Sequence, residues 1–282
     1  MELGSVGVWR SGTRNPGGVL DEGVARSLED LGYGAIWMSG GFEPGLSPRF
    51  AQILDATDDI VVASGIVSIW VTPPDEIALA VAQLAEAHPG RFLLGLGTSH
   101  APAVQHYERP YSKMVAYLDG LDAATPGVSP EHRILAALGP KMLELAGARS
   151  AGAHPYFIPV EHTRLARQIL GEGPVLAPEL TVVLDADRDR GLELARTFTS
   201  RYLALPNYAN NLRSLGFSES DLAGAGSDRL VDAVVAVGDA HAAAERVNAH
   251  LDAGADHVCV QVVAAGEGFP MAAYRALADV LF

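Results

Sequence analysis

Apolar residues along this chain gather into short, nearly continuous runs, and each run gives way to a longer stretch in which apolar positions recur at helical spacing. Eight runs read as strands, at 6–9, 35–39, 60–66, 92–97, 134–138, 154–158, 180–184 and 257–263. Unbroken apolar strands are buried on both faces, the pattern of a parallel sheet covered by helices. The stretches between them predict helices at 20–31, closed by Gly32, at 75–87, entered through Pro73-Pro74, and at 240–253, with Asp239 as N-cap and Gly254 as stop. A last helix is expected over 272–281. Eight βα units in 282 residues with no linker predict an α/β chain folded as a single (β/α)8 barrel over residues 1–282, rather than an open doubly wound sheet.

A barrel carries its site at the C-terminal ends of its strands. Here those ends read Trp9-Arg10-Ser11, Ser39-Gly40-Gly41, Ser64-Gly65-Ile66-Val67-Ser68, Gly97-Thr98-Ser99-His100, Leu138-Gly139-Pro140-Lys141 and His154-Pro155-Tyr156. They are rich in glycine, small hydroxyls and histidine, with no paired carboxylates and no metal cluster. Gly139-Pro140-Lys141 reads as an anion site, since Gly139 allows close approach, Pro140 suits the first helical position, and the free N–H groups of the first turn stand beside Lys141. An ordinary strand-to-helix turn is the alternative. His100 is the candidate proton donor or orienting group. Trp9, Arg10, Trp70 and His154 are candidates for the substrate pocket, whereas Trp37 sits inside an apolar strand and is expected in the core. Residues 107–117 form either a flap over the site or a segment packed on the barrel.

A net charge of −14 with no basic stripe argues against nucleic-acid binding and points to small-molecule partners. No apolar run is long enough to span a bilayer, and no signal pattern opens the sequence, so a cytoplasmic protein is expected. The lone Cys259 excludes an internal disulfide and falls in a buried run.

Other motifs weaken on inspection. Gly95-Leu96-Gly97-Thr98-Ser99-His100 lacks the third glycine of a dinucleotide fingerprint, and Pro102 comes too soon for its helix. Gly97-Thr98-Ser99-His100-Ala101 lacks the last glycine of a serine-nucleophile turn. In 185–196 the glycine falls one place late for a calcium loop, and Arg196 stands where the bidentate Glu belongs. His241 and Glu245 share a helix face without a third ligand, so no metal is expected.

Three segments, Gly90-Arg91-Phe92-Leu93-Leu94-Gly95-Leu96-Gly97, Ala137-Leu138-Gly139-Pro140-Lys141-Met142-Leu143-Glu144-Leu145-Ala146 and Ala253-Gly254-Ala255-Asp256-His257-Val258, come in this order and at matching places in a barrel. Together the chain resembles the bacterial luciferase-like superfamily, particularly its actinobacterial oxidoreductases that use the deazaflavin coenzyme F420. The resemblance implies hydride transfer between F420 and a small organic substrate, with FMN as the alternative cofactor of a monooxygenase, and a homodimer. It implies a third strand ending in a bulge, often with a non-prolyl cis peptide, that backs the ring; Gly65-Ile66 is the matching pair. The cofactor cradle it implies is Gly65, Ile66, Ser68, Gly97, Thr98, Gly139, Pro140 and Lys141, with the phosphate near the last three. One departure stands out: many such relatives carry an Asp-His pair at the end of the second strand, where this chain has Gly40-Gly41. That leaves open a barrel that binds F420 or a phosphorylated metabolite without turnover.

Overall fold

The computed structural model describes residues 1–11, 20–40, 45–101, 104, 106–266 and 268–282. Its strands are β1 (Val6–Arg10), β2 (Ala35–Met38), β3 (Val61–Ser64), β4 (Val67–Ser68), β5 (Phe92–Gly97), β6 (Arg133–Leu135), β7 (Gly152–Ala153), β8 (Val175–Leu176), β9 (Glu179–Leu184), β10 (Val235–Gly238) and β11 (Val258–Val262). Every pairing between them is parallel. The sheet runs from β9 through β11, β1, β2, β3, β5, β6 and β7 to β8. Only Ala177-Pro178 separates β8 from β9. Glu179 N donates to Pro155 O on one edge of that run and Cys259 N donates to Pro178 O on the other, so the sheet curls back on itself.

Alternation along the strands sorts the core. Val6, Val8, Ile36, Val62, Leu94, Leu96, Val258 and Val260 face the helices in one large cluster. Trp9, Ala35, Trp37, Val61, Ala63, Leu93, Ile134 and Cys259 fill a second, inner cluster. Trp37 is fully buried, as expected, and its Nε1 donates to His257 Nε2 at 3.0 Å, whose Nδ1 then donates to Gly4 O at 2.8 Å. Cys259 is a buried free thiol.

The helices match expectation closely: Glu22–Asp30, Pro74–Ala87, Ala240–Asp252 and Met271–Leu281. Asp239 caps its helix by accepting from Ala242 N at 2.9 Å. Two strands differ from the sequence reading. The sixth barrel strand is Gly152–Ala153, not 154–158, because Pro155 has no N–H to offer the ladder and Phe157 turns to a left-handed φ of 55°. The strand β10 was not anticipated; it adds beside β9 above the point where β7 ends. Residues 107–117 lead into the helix Pro110–Ala123, which buries Met114, Tyr117, Leu118 and Leu121 against the barrel. No helix among the described residues is long and apolar enough to cross a membrane.

Candidate active site

A cleft of about 420 Å³ opens at the C-terminal ends of the strands. Its platform is the end of the third barrel strand, where Gly65-Ile66 is a cis peptide between β3 and β4. Ser64 makes this bulge possible, because its hydroxyl donates to Gly95 O at 2.9 Å and accepts from Gly95 N at 2.8 Å, replacing the main-chain ladder where the strand bends away. Ile66 then folds onto β5: a Cβ on Gly97 would lie 2.6 Å from its side chain, and one on Gly95 only 1.8 Å from Ser64 O. The glycines of Gly95-Leu96-Gly97 therefore serve strand packing, which is the physical reason that run has no dinucleotide chemistry.

The lining continues through Ser68, Gly97, Thr98, Ala136 and Ala137 and through an aromatic wall of Tyr156, Tyr202 and Tyr208. Two of the three hydroxyls are engaged in a chain: Tyr202 OH meets Tyr156 OH at 2.7 Å, and Tyr156 donates to Gln261 Oε1 at 3.1 Å. Burial pushes all three phenols above their usual range, so that wall is neutral. Behind it, burial raises the Glu179 carboxyl to about 7, against the lowering effect of hydrogen bonds from Thr181 and Phe157.

His100 lines the cleft next to Ser99, which adopts a left-handed φ of 55°. Its Nδ1 lies 3.2 Å from Asn207 Oδ1 and its ring packs 5.3 Å from Tyr208. Since Oδ1 accepts, Nδ1 carries the hydrogen and Nε2 keeps its lone pair. Burial holds the ring below the usual histidine range, with the Asn207 hydrogen bond opposing.

Trp9 and His154 also line the cleft, at 7% and 2% exposure. His154 stacks on Trp37 at 4.4 Å and donates from Nδ1 to Ala177 O at 2.6 Å, and burial lowers its pKa to about 4. It is a neutral ring whose Nε2 accepts. Both Trp9 Nε1 and His154 Nε2 are buried without a partner among the described residues, an arrangement that costs about 1–3 kcal/mol for each group.

The remaining expected residues lie outside the cleft lining. Trp70 sits behind it, its Nε1 donating to Thr98 O at 2.7 Å and thus setting Thr98 in place. Arg10 lies with its guanidinium 5.4 Å over the Phe269 ring. Gly139, Pro140 and Lys141 are exposed at the rim, opening the helix Pro140–Arg149, while their neighbours Leu138 and Met142 reach the lining. A Cβ on Gly139 would meet nothing within 4 Å, so the open space there is available to a ligand. Gly40 is tightly enclosed: its N donates to Ile66 O at 3.2 Å, and a Cβ would lie 2.8 Å from Val67 and 2.9 Å from Ile66 O. Gly41 lies outside the described residues. The tyrosine wall, Leu205 and Asn207 were not foreseen; their only signal was the Tyr156 that follows His154-Pro155. No cluster of His, Cys, Asp or Glu suited to a metal occurs among the described residues.

The cleft thus lies at the strand ends of a parallel barrel, edged by glycines and small residues over a strand-end bulge. The model of the luciferase-like monooxygenase family matches residues 1–257, and the chain belongs to that family. Solved structures agree in fold. An F420-dependent secondary alcohol dehydrogenase in complex with an F420–acetone adduct aligns over 100% of both chains, at 14% identity and TM-score 0.74. The coenzyme F420 dependent tetrahydromethanopterin reductase from Methanopyrus kandleri aligns over 98% of each, at 16% and 0.64. The oxygenating constituent of 3,6-diketocamphane monooxygenase from Pseudomonas putida, in complex with FMN, aligns over 98% of this chain and 96% of its own, at 14% and 0.65. No protein of curated function matches the sequence.

Proposed function

We propose that the protein is an F420-dependent oxidoreductase that moves a hydride between the deazaflavin and a small organic substrate. The observation that carries this is the Gly65-Ile66 bulge, set at the floor of a cleft whose rim is small and whose facing wall is neutral and aromatic. Flat apolar platforms with small neighbours suit a planar conjugated ring. Support for F420 over FMN comes from the alcohol dehydrogenase that aligns over all of both chains. An FMN monooxygenase is the second reading, favoured by the FMN-bound neighbour.

When bound, a deazaflavin supplies two-electron hydride chemistry, with carbon in place of the flavin nitrogen at the reactive position and little reactivity toward oxygen. The chain supplies placement and electrostatics. Ile66 and Gly97 would seat the ring, Ser68 and Thr98 would offer it hydroxyls, and the tyrosines would keep water from the cleft. Gly139, Pro140 and Lys141 take the phosphate, where Lys141 brings a positive charge to the free N–H groups of the helix start. His100 exchanges the proton at its unprotonated Nε2. A homodimer is part of the same proposal, to be read by light scattering.

Purified protein is expected to be colourless, to bind F420 at micromolar or tighter affinity in a fluorescence titration, and to bind FMN far more weakly. Stoichiometric, tight FMN with no F420 binding would overturn the deazaflavin assignment. Binding of F420 without turnover across a substrate screen would favour the non-catalytic barrel.

Lys141→Ala is expected to weaken F420 by about 1–3 kcal/mol, the scale of a charge-assisted hydrogen bond, and to leave thermal stability unchanged because the side chain is exposed. An unaltered Kd would move the phosphate elsewhere.

A further inference from the structure

We propose that Trp9 and His154 form a donor–acceptor pair that reads the imide edge of the cofactor ring, Trp9 Nε1–H donating to a ring carbonyl and His154 Nε2 accepting from the adjacent ring N–H. This rests on the reading of the cleft as a flavin-type or deazaflavin-type site, and it assigns two residues that the platform and the phosphate cradle leave unused.

Three observations carry it. First, the two nitrogens are the buried side-chain polar atoms in the cleft lining that have no hydrogen-bond partner among the described residues. Second, they are neighbours: the point at which a Gly65 Cβ would stand is 2.5 Å from Trp9 Nε1 and 3.4 Å from His154 Nε2. Both therefore abut Gly65 at the platform, where any larger residue would press on the indole nitrogen. Third, their polarities are fixed and opposite. Indole nitrogen only donates. His154 is committed as an acceptor at Nε2, because Ala177 O can only accept and so takes the hydrogen on Nδ1. Stacking on Trp37 and the ring of Tyr156 5.0 Å from Trp9 hold both side chains in these orientations.

A neutral donor beside a neutral acceptor selects a neutral ligand edge with the reverse pattern. The pyrimidine-dione end of flavins and deazaflavins has it, a carbonyl next to an N–H, in both the oxidised and the reduced ring. A carboxylate would leave Nε2 facing a lone pair, and an ammonium would leave the indole N–H without an acceptor. A hydroxyl or a single bridging water also satisfies both atoms, and these are the occupants the experiment must separate from the imide.

The test compares the ribitol-bearing deazaflavin core of F420 with the same compound methylated on the imide nitrogen, which removes the N–H and keeps the ring. Wild-type protein is expected to bind the methylated core at least tenfold more weakly in a fluorescence titration. In His154→Phe the two cores should bind within about twofold of each other. Trp9→Phe should weaken both. In the wild type, the Trp9 indole N–H resonance, assigned by its loss in Trp9→Phe, should move downfield when the unmethylated core binds. Equal wild-type affinity for the two cores would overturn the pairing, and so would an indole resonance that stays in place because water or a substrate hydroxyl holds that nitrogen. If either variant fails to fold, the wild-type comparison and the indole resonance still decide. Failure to bind F420 itself would sink the cofactor reading, whereas equal binding of the two cores, or binding of F420 with no shift of the Trp9 indole resonance, sinks only the pair.

Discussion

His100→Asn is expected to lower turnover about 100-fold or more, the usual scale of general acid–base catalysis, while F420 affinity stays within a few-fold. The ring is fixed at Nδ1 by Asn207 and packed on Tyr208, which leaves Nε2 as the nitrogen without a hydrogen bond among the described residues. Asparagine keeps a polar group at the cleft and removes the titrating one. The pH dependence carries a sign. Burial lowers the His100 pKa from 6.5, so the proton leaves at lower pH than from a free histidine. In the direction that oxidises substrate the neutral ring accepts the proton, and the rate should hold through neutral pH and fall only on the acid side, below 6.5. The variant should lose that acid limb. Unchanged turnover in His100→Asn, with a substrate found by screening, would leave His100 as a structural group at the cleft mouth.

Gly95→Val should destabilise the fold by roughly 3 kcal/mol or more, because its Cβ would stand 1.8 Å from Ser64 O and force β3 from β5 where Ser64 already replaces the ladder. For a chain of this length the melting temperature should fall by about 6–12 °C. Gly139→Val is the control. There a Cβ meets nothing within 4 Å and φ is −83°, so the free protein should melt within about 2 °C of wild type while losing F420 affinity to the bulk now beside the phosphate. Calorimetric scans of the two variants separate these claims, and a Gly95→Val protein that melts as close to wild type as Gly139→Val would mean that the bulge has more room than its contacts indicate.

How much of this was legible in the sequence depends on how local each signal is. Apolar runs and glycine or aspartate caps are written in neighbouring residues, so the barrel, most of its strands and its long helices could be read directly. The bulge was legible through resemblance, at Gly65-Ile66. The sixth strand was misplaced because its two paired residues, Gly152 and Ala153, carry no apolar run, whereas the apolar residues after them lie in a segment that Pro155 and Phe157 turn out of the sheet. The strand β10 hid in the run that also ends the helix Asp228–Val234. Trp9 and His154, expected at a substrate pocket, line the cleft, but that their nitrogens find no partner among the described residues is a property of the folded interior and of the Ala177 carbonyl twenty-three residues from His154. The tyrosine wall draws on residues 156, 202 and 208, which meet only through the packing of two helices on the strand ends. Trp70 and Arg10 were expected at the pocket by position; Trp70 reaches it only through Thr98, whose carbonyl its Nε1 holds, and Arg10 lies over the Phe269 ring.

The enclosure of Gly40 bears on how this barrel can change its chemistry. A side chain at position 40 would collide with the same two residues, Ile66 and Val67, that shape the ring platform. Installing an acid or a base there is therefore not a one-step change: the carbonyl of Ile66 has to move first, and with it the surface proposed to carry the ring. A catalytic side chain at the end of β2 and a shift of the proposed ring platform are coupled changes in this scaffold, so a search for new activity by single substitutions has to start from the segment after β5 and from the helix Pro206–Ser214, where His100 and Asn207 can vary while the platform stays where it is.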